Sequence, residues 1–175
     1  RAGAATWLGI RRLDTSICAG DRLRTASSSR AALFVQPETL VRLDQNTSLT
    51  LEQSTDEISV EFSMDEASRV ACSEQTCGAG YFITRFPKKF KVKTPHMNAA
   101  VEGTEFMVAV GRDSTQLTVL EGKVTSESVA TGDRKLVEAG HGLASGTAGA
   151  GVINATVKPE DAVQWVLRYP PISDQ

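Results

Sequence analysis

Apolar and polar residues alternate with a period of two over much of the chain. Leu49 and Leu51 alternate with Thr50 and Glu52, and Ile58, Val60 and Phe62 with Ser59 and Glu61. Phe90 and Val92 alternate with Lys89, Lys91 and Lys93, and shorter stretches of the same kind occur at Arg22-Leu23-Arg24 and Leu40-Val41-Arg42-Leu43. This period places successive side chains on opposite faces of a strand, one in the core and one in water. Further on, Phe106–Val110, Leu117–Leu120, Val124 and Leu136-Val137 are strand-sized. Turn residues separate them at 111–114, Glu121-Gly122, Thr131-Gly132-Asp133 and Ala139-Gly140. Strands recurring every ~8–12 residues with turns between them predict an all-β domain. The even spacing predicts a β-helix or solenoid-like stack of short strands, with a β-sandwich as the alternative. The inward set is Leu23, Leu33, Leu43, Leu49, Val60, Phe90, Val92, Val101, Phe106, Val108, Val119 and Val124.

One segment breaks the pattern. Pro159 suits the first position of a helix, Glu160 and Asp161 put negative charge at its N-terminus, and Pro170 ends it. Ala162, Val163, Val166 and Leu167 recur at helical spacing, predicting one short helix over 159–168. A helix of that length is marginal alone and must dock on something. Trp165 and Tyr169 lie on its adjoining flank, where they extend the apolar surface beyond one docking stripe. The chain therefore divides into a β domain over 1–157 and a helix with linker over 158–175. Within the first, the glycine-rich run 146–151 reads as a flexible connector before a last strand over 152–157.

Composition narrows the function classes. The 175 residues carry 19 Lys and Arg against 21 Asp and Glu, a net charge of −2. A dedicated nucleic-acid binder needs a basic excess that is absent. No run approaches the ~18–20 apolar residues of a membrane-spanning helix. The chain begins at Arg1, which leaves room upstream for a signal peptide or an anchor.

Candidate chemistry is sparse. Neither His96 nor His141 sits in a catalytic motif, and no nucleophile elbow is present. Gly146–Gly151 lacks the lysine of a phosphate loop. No motif calls for a metal or cofactor, and no enzyme is expected. Cys72 and Cys77 have four residues between them, a spacing open to a disulfide, to free thiols or to a metal pair short of ligands. Cys18 is read as a small buried apolar residue, against a lipid-bearing or intermolecular link. Lys88, Lys89, Lys91 and Lys93, with Arg85, form a basic strip. It is either a solvated strand face, complemented by Asp56, Glu57, Glu61, Asp65 and Glu66, or a patch for an acidic partner, glycan or headgroup.

Three stretches together resemble the FecR domain family. The first is Gly20-Asp21-Arg22-Leu23-Arg24-Thr25, followed by Ser29-Arg30-Ala31-Ala32-Leu33 and Leu43-Asp44-Gln45-Asn46-Thr47. The second is Thr94-Pro95, then Ala99-Ala100-Val101-Glu102-Gly103-Thr104-Glu105-Phe106, and the third is Val119-Leu120-Glu121-Gly122-Lys123-Val124. The motif residues Gly20, Asp21, Pro95, Gly103, Thr104, Glu105, Phe106, Glu121 and Gly122 are read as structural. The glycines supply positive φ or close approach, and the two glutamates hydrogen-bond turn amides. The resemblance implies a periplasmic, β-helix-like domain with Cys72 and Cys77 joined. In the iron-transport members such a domain receives a signal from an outer-membrane receptor and regulates a sigma factor. The segment 157–171 is similar to the link toward tetratricopeptide repeats in a subset of envelope proteins, which implies a scaffold or adaptor.

Taken together, these features predict a non-catalytic module of the bacterial cell envelope that acts through protein partners, with Trp165 and Tyr169 as a contact flank. A glycan- or polyanion-binding module using Arg85–Lys93 is the alternative. Ionic strength separates the two, since polyanion binding weakens steeply with salt.

Overall fold

The computed structural model describes residues 6–10, 14–35, 39–54, 57–63, 72, 76–85, 89–101 and 103–153. Fourteen strands run through them: β1 Arg22–Arg24, β2 Ala31–Val35, β3 Thr39–Leu43, β4 Ser48–Gln53, β5 Glu57–Phe62, β6 Gly78–Thr84 and β7 Lys89–Lys93, then β8 Met97–Val101, β9 Glu105–Val110, β10 Ser114–Glu121, β11 Lys123–Ser128, β12 Arg134–Glu138, β13 Gly142–Gly146 and β14 Gly149–Ile153. They form two seven-stranded sheets. Sheet A has the order β1-β4-β5-β7-β8-β11-β12, and sheet B the order β14-β13-β10-β9-β6-β3-β2.

The sheets face one another across a single core. Phe82 of β6 stacks on Phe106 of β9 with ring centroids 4.9 Å apart. Across the layer it meets Phe62 of β5 at 6.1 Å and Phe90 of β7 at 5.9 Å. Val60, Val92, Met97 and Val124 close sheet A's side of the core; Val41, Leu43, Val108, Leu117 and Val119 close that of sheet B. Of the predicted inward set, Leu23 and Leu33 are only partly buried, because they lie on edge strands with a neighbour on one side. The rest are buried.

The solenoid expectation needs correcting. A β-helix stacks parallel strands coil on coil, whereas every described pairing here is antiparallel except β5 with β7. That parallel pair arises because the chain leaves sheet A after β5, forms β6 in sheet B, and returns. Elsewhere hairpins dominate, and the described strands leave β1, β12, β14 and β2 as sheet edges. The arrangement is the two-layer alternative.

Two further expectations fall differently. The run 146–151 is not a connector: Gly146 ends β13, and the last strand, expected from Val152, already begins at Gly149 as β14, paired with β13 in the register Gly146↔Gly149 to Gly142↔Ile153; its expected residues 154–157 lie outside the described residues. Glycine-rich sequence forms a strand there because backbone pairing alone supplies the order. Cys18 is exposed, in the turn that precedes β1, and is not a core residue. The helix expected over 159–168, with Trp165 and Tyr169, lies outside the described residues.

Candidate functional site: the motif junction and the two outer faces

The motif residues meet where the chain twice changes sheets. β8 in sheet A leads through Gly103-Thr104 into β9 in sheet B, and β10 in sheet B leads through Gly122 into β11 in sheet A. The two crossings lie side by side. Gly122 has φ +78°, and a Cβ there would lie 2.6 Å from Thr104 Cγ2, so both conformation and space demand glycine. Gly103 has φ +58° with open space around it, so only its conformation matters. Thr104 is fully buried; its N–H donates to Thr84 Oγ1 at 3.1 Å, and its carbonyl accepts from Thr84 N–H at 2.9 Å. Phe106 then drops into the aromatic stack.

Glu105 and Glu121 are directly opposite one another in the β9–β10 pairing, next to the bulge between Val119 and Glu121. Among the described residues their partners are side chains and not the turn amides the sequence suggested. The Tyr81 hydroxyl donates to Glu105 Oε1. Arg85 NH1 lies 2.8 Å from Glu121 Oε2, and Arg85 NH2 lies 3.7 Å from Glu105 Oε2. One guanidinium thus bridges two carboxylates that would otherwise repel. Burial, then the bond to Glu105, pushes the Tyr81 hydroxyl well above its ordinary pKa, so it is a fixed donor and not an acid. Sequence reasoning had placed Arg85 in the lysine strip and had not singled out Tyr81; strand pairing brings both to the motif.

The opening motif is a second structural junction. Gly20 has φ +85°, and its N–H donates to Leu51 O at 2.7 Å. Asp21 Oδ2 accepts from the Cys18 N–H at 2.9 Å and closes the turn. Thr25 Oγ1 donates to Asp44 O at 2.6 Å and accepts from Thr47 N–H at 2.9 Å, tying the two halves of the pattern together.

Pro95 sits in the turn between β7 and β8, which Thr94 closes: its N–H donates to Met97 O at 2.9 Å, and its hydroxyl accepts from Met97 N–H at 3.0 Å. The next residue, His96, was set aside at sequence level and is nonetheless buried. Its Nδ1 lies 3.0 Å from Thr115 Oγ1 of β10, and its carbonyl accepts from Ser145 Oγ of β13 at 2.9 Å. A sheet A turn is thereby fastened to sheet B. Burial lowers the His96 pKa below 6.5, opposed by the Arg112 backbone and the Asp113 charge.

Cys72 and Cys77 are joined in a disulfide, and the Cys77 N–H donates to Val110 O at 2.7 Å just before β6 begins. Among the described residues, no group of three or more His, Cys, Asp and Glu side chains is placed to hold a metal ion, and no helix is long and apolar enough to cross a membrane.

The outer faces of the sheets differ. On sheet A the lysine strip meets its own acids: Lys91 Nζ lies 2.7 Å from Glu57 and Lys93 Nζ 2.8 Å from Glu52, while Arg134 pairs with Glu127 at 2.6 Å. The Lys93 ammonium holds the Glu52 carboxyl below its ordinary pKa. Lys88 lies outside the described residues, and Lys89 pairs with Glu57 in the β5–β7 register. On sheet B, one outward row runs through Ala32, Arg42, Tyr81, Met107, Thr118 and Gly142, and the next through Phe34, Leu40, Ile83 and Glu105. That face is mostly apolar. Tyr81, although outward, is only 6% exposed, whereas Phe34 on edge strand β2 is 69% exposed.

The FecR protein family model matches residues 21–125, and the chain belongs to that family. Two crystal structures of a candidate anti-sigma factor from Parabacteroides distasonis ATCC 8503 share its fold. Each has a TM-score of 0.67, at 14% and 15% identity. Each match covers 83% of this chain and 64% of that protein, so the chain spans less than two thirds of its length. No curated protein matches the chain.

Proposed function

We propose that the chain is a non-catalytic regulatory module of the bacterial envelope. It works through protein–protein contact, as a signal-receiving domain or as a scaffold within a larger assembly. One observation carries this reading: the residues that define the family are consumed in holding the two sheet crossings together. Glu105 and Glu121 are tied by Tyr81 and Arg85, and Gly122 packs on Thr104. A disulfide between Cys72 and Cys77 fits an oxidising, extracytoplasmic compartment. The fold shared with a candidate anti-sigma factor is consistent with regulation.

The polyanion reading is weaker, because Lys91 and Lys93 are already neutralised by Glu57 and Glu52. The contact flank remains Trp165 and Tyr169. The test is the double change Trp165→Ala with Tyr169→Ala, made in the isolated chain and in the parent protein within its own envelope. A contact flank predicts little change in melting temperature of the isolated chain and loss of assembly by native sizing. Unfolding of the isolated chain, or assembly unchanged, would overturn it.

A further inference from the structure

We propose that segment 6–10, held at the β1 edge of sheet A, is a membrane-surface contact. Trp7, Leu8 and Ile10 enter the interface of an anionic phospholipid layer, and Arg22 and Arg24 bind its phosphates. The site is separate from the lysine strip and from the Trp165/Tyr169 flank.

The first support is where exposed apolar surface gathers. Among the described residues the exposed large apolar side chains are Trp7, Leu8, Ile10, Phe34, Val129 and Leu136, so three of them fall within four consecutive positions. Leu8 is 72% exposed and Ile10 59%. A Cβ added at Gly9 would meet nothing within 4 Å, so the segment stands clear of the domain there. Scattered single apolar residues are ordinary on a surface, but a contiguous group marks a contact.

The second support is the charge beside it. Arg22 and Arg24 are exposed on β1 and alternate with Leu23, which packs toward the core, so both stand on the outer face of sheet A. The Trp7 ring lies against both, 5.2 Å from the Arg22 guanidinium carbon and 4.6 Å from that of Arg24. Arg30, Arg85, Lys91, Lys93 and Arg134 each lie 2.9 Å or less from a carboxylate oxygen. Arg22 and Arg24 have no such partner among the described residues. Their strand neighbours are Thr50 and Ser48. Asp21 is turned to the Cys18 N–H, and Glu61, across Thr50, faces Lys93. The outer face of sheet A is thus self-neutralised at β4, β5 and β7 and cationic at β1. Cation–π attraction holds the two guanidiniums in place without neutralising them, and their N–H forks stay available for bidentate contact with a phosphate.

A lipid surface fits this pairing better than a protein does. A specific protein interface needs roughly 800 Å² on each partner and a shaped core, which three side chains on an irregular segment do not offer. A bilayer interface asks for no shape. It takes indole rings at the headgroup level and aliphatic side chains just below, and it draws arginines to its phosphates. Stable binding there takes two signals, apolar insertion together with basic charge, and the β1 edge places both side by side.

The experiment is cosedimentation of the full chain with vesicles of phosphatidylglycerol mixed with phosphatidylcholine, against phosphatidylcholine alone. The chain should sediment with the first and not with the second, and added salt should weaken the binding. In a Trp165→Phe background, where Trp7 is the sole indole, emission should shift to the blue on binding. Arg22→Ala with Arg24→Ala should lower the partition roughly thirtyfold at low salt, about fivefold per arginine. Leu8→Asp with Ile10→Asp should abolish it, while Lys91→Ala with Lys93→Ala should leave it unchanged. All of these side chains lie outside the core, so unfolding midpoints should match the parent, and either of the first two double variants decides if the other is lost to misfolding. Absence of binding to the anionic vesicles, equal binding to both vesicle types, or binding that survives the arginine and the Leu8/Ile10 changes would each overturn the proposal. Retention of the chain on heparin without partition onto vesicles would overturn it too, and would assign the two arginines to a soluble polyanion.

Discussion

Lys93 of β7 and Met107 of β9 hold equivalent places, each on the outward face of a central strand, and meet opposite surroundings. Lys93 reaches Glu52 at 2.8 Å and faces water. Met107 lies between two uncharged neighbours, Tyr81 and Thr118. The two sheets share one core, and their outer faces show different tasks. A self-neutralised charged face needs nothing on it and resists edge and face association. The outer face of sheet B carries more apolar side chains, with Arg42 and Glu105 among them, and is the more open to association.

The largest effect that tests this comparison lies inside the core. Phe106→Ala removes a fully buried ring stacked on Phe82 at 4.9 Å and should cost ~3–5 kcal/mol, read as a shift in the denaturant midpoint. A shift no larger than that of a surface variant would mean that the aromatic stack does not join the sheets.

An intermediate effect concerns the link between them. In the folded protein burial keeps the His96 ring neutral, with a pKa below the ordinary 6.5. The unfolded chain therefore binds more protons as the pH drops through about 6.5, and stability should fall from there downward until the folded ring titrates as well. His96→Asn should flatten this part of the profile. Identical slopes for the two proteins between pH 7 and pH 5 would show that the ring is not held neutral.

The smallest effect belongs to the charged face. Lys91→Ala and Lys93→Ala should each change stability by less than about 1 kcal/mol, and the change should shrink further in high salt, because exposed ion pairs are screened. A loss as large as that from Phe106→Ala would mean that the outer face of sheet A is structural in its own right.

How legible each region was in the sequence follows the same division. In sheet A the strands β4, β5 and β7 could be read directly, since they alternate cleanly and their registers keep Val60 and Val92 inside, whereas β8 was not read as a strand. Sheet B was harder. β6 went unread because Gly78-Ala79-Gly80 carries no alternation, yet a Cβ on Gly80 would fall 2.8 Å from Phe62 Cζ, so the glycine makes room for the aromatic layer. The first three residues of β14, Gly149-Ala150-Gly151, looked like a linker for the same reason, while its end at Val152 and Ile153 was read as strand. The motif positions were visible as a pattern, and the glycines at 103 and 122, read as supplying positive φ or close approach, both have positive φ. The partners of Glu105 and Glu121 were not visible, because Tyr81 and Arg85 lie more than twenty residues away in the chain.

By itself the sequence determined the all-β class, the family, and most of the inward set, because these depend on local period and on short motifs. Only the tertiary structure decided that the strands form two antiparallel layers and not stacked coils, since alternation sets which face a residue occupies and says nothing of which strand lies beside it. Tertiary structure likewise decided that His96 is buried against Thr115, that the lysine strip is spent on Glu52 and Glu57, and that one outer face is charged while the other is apolar. Each of these depends on pairing between distant segments, and the energy of such pairing is not written in the order of neighbouring residues.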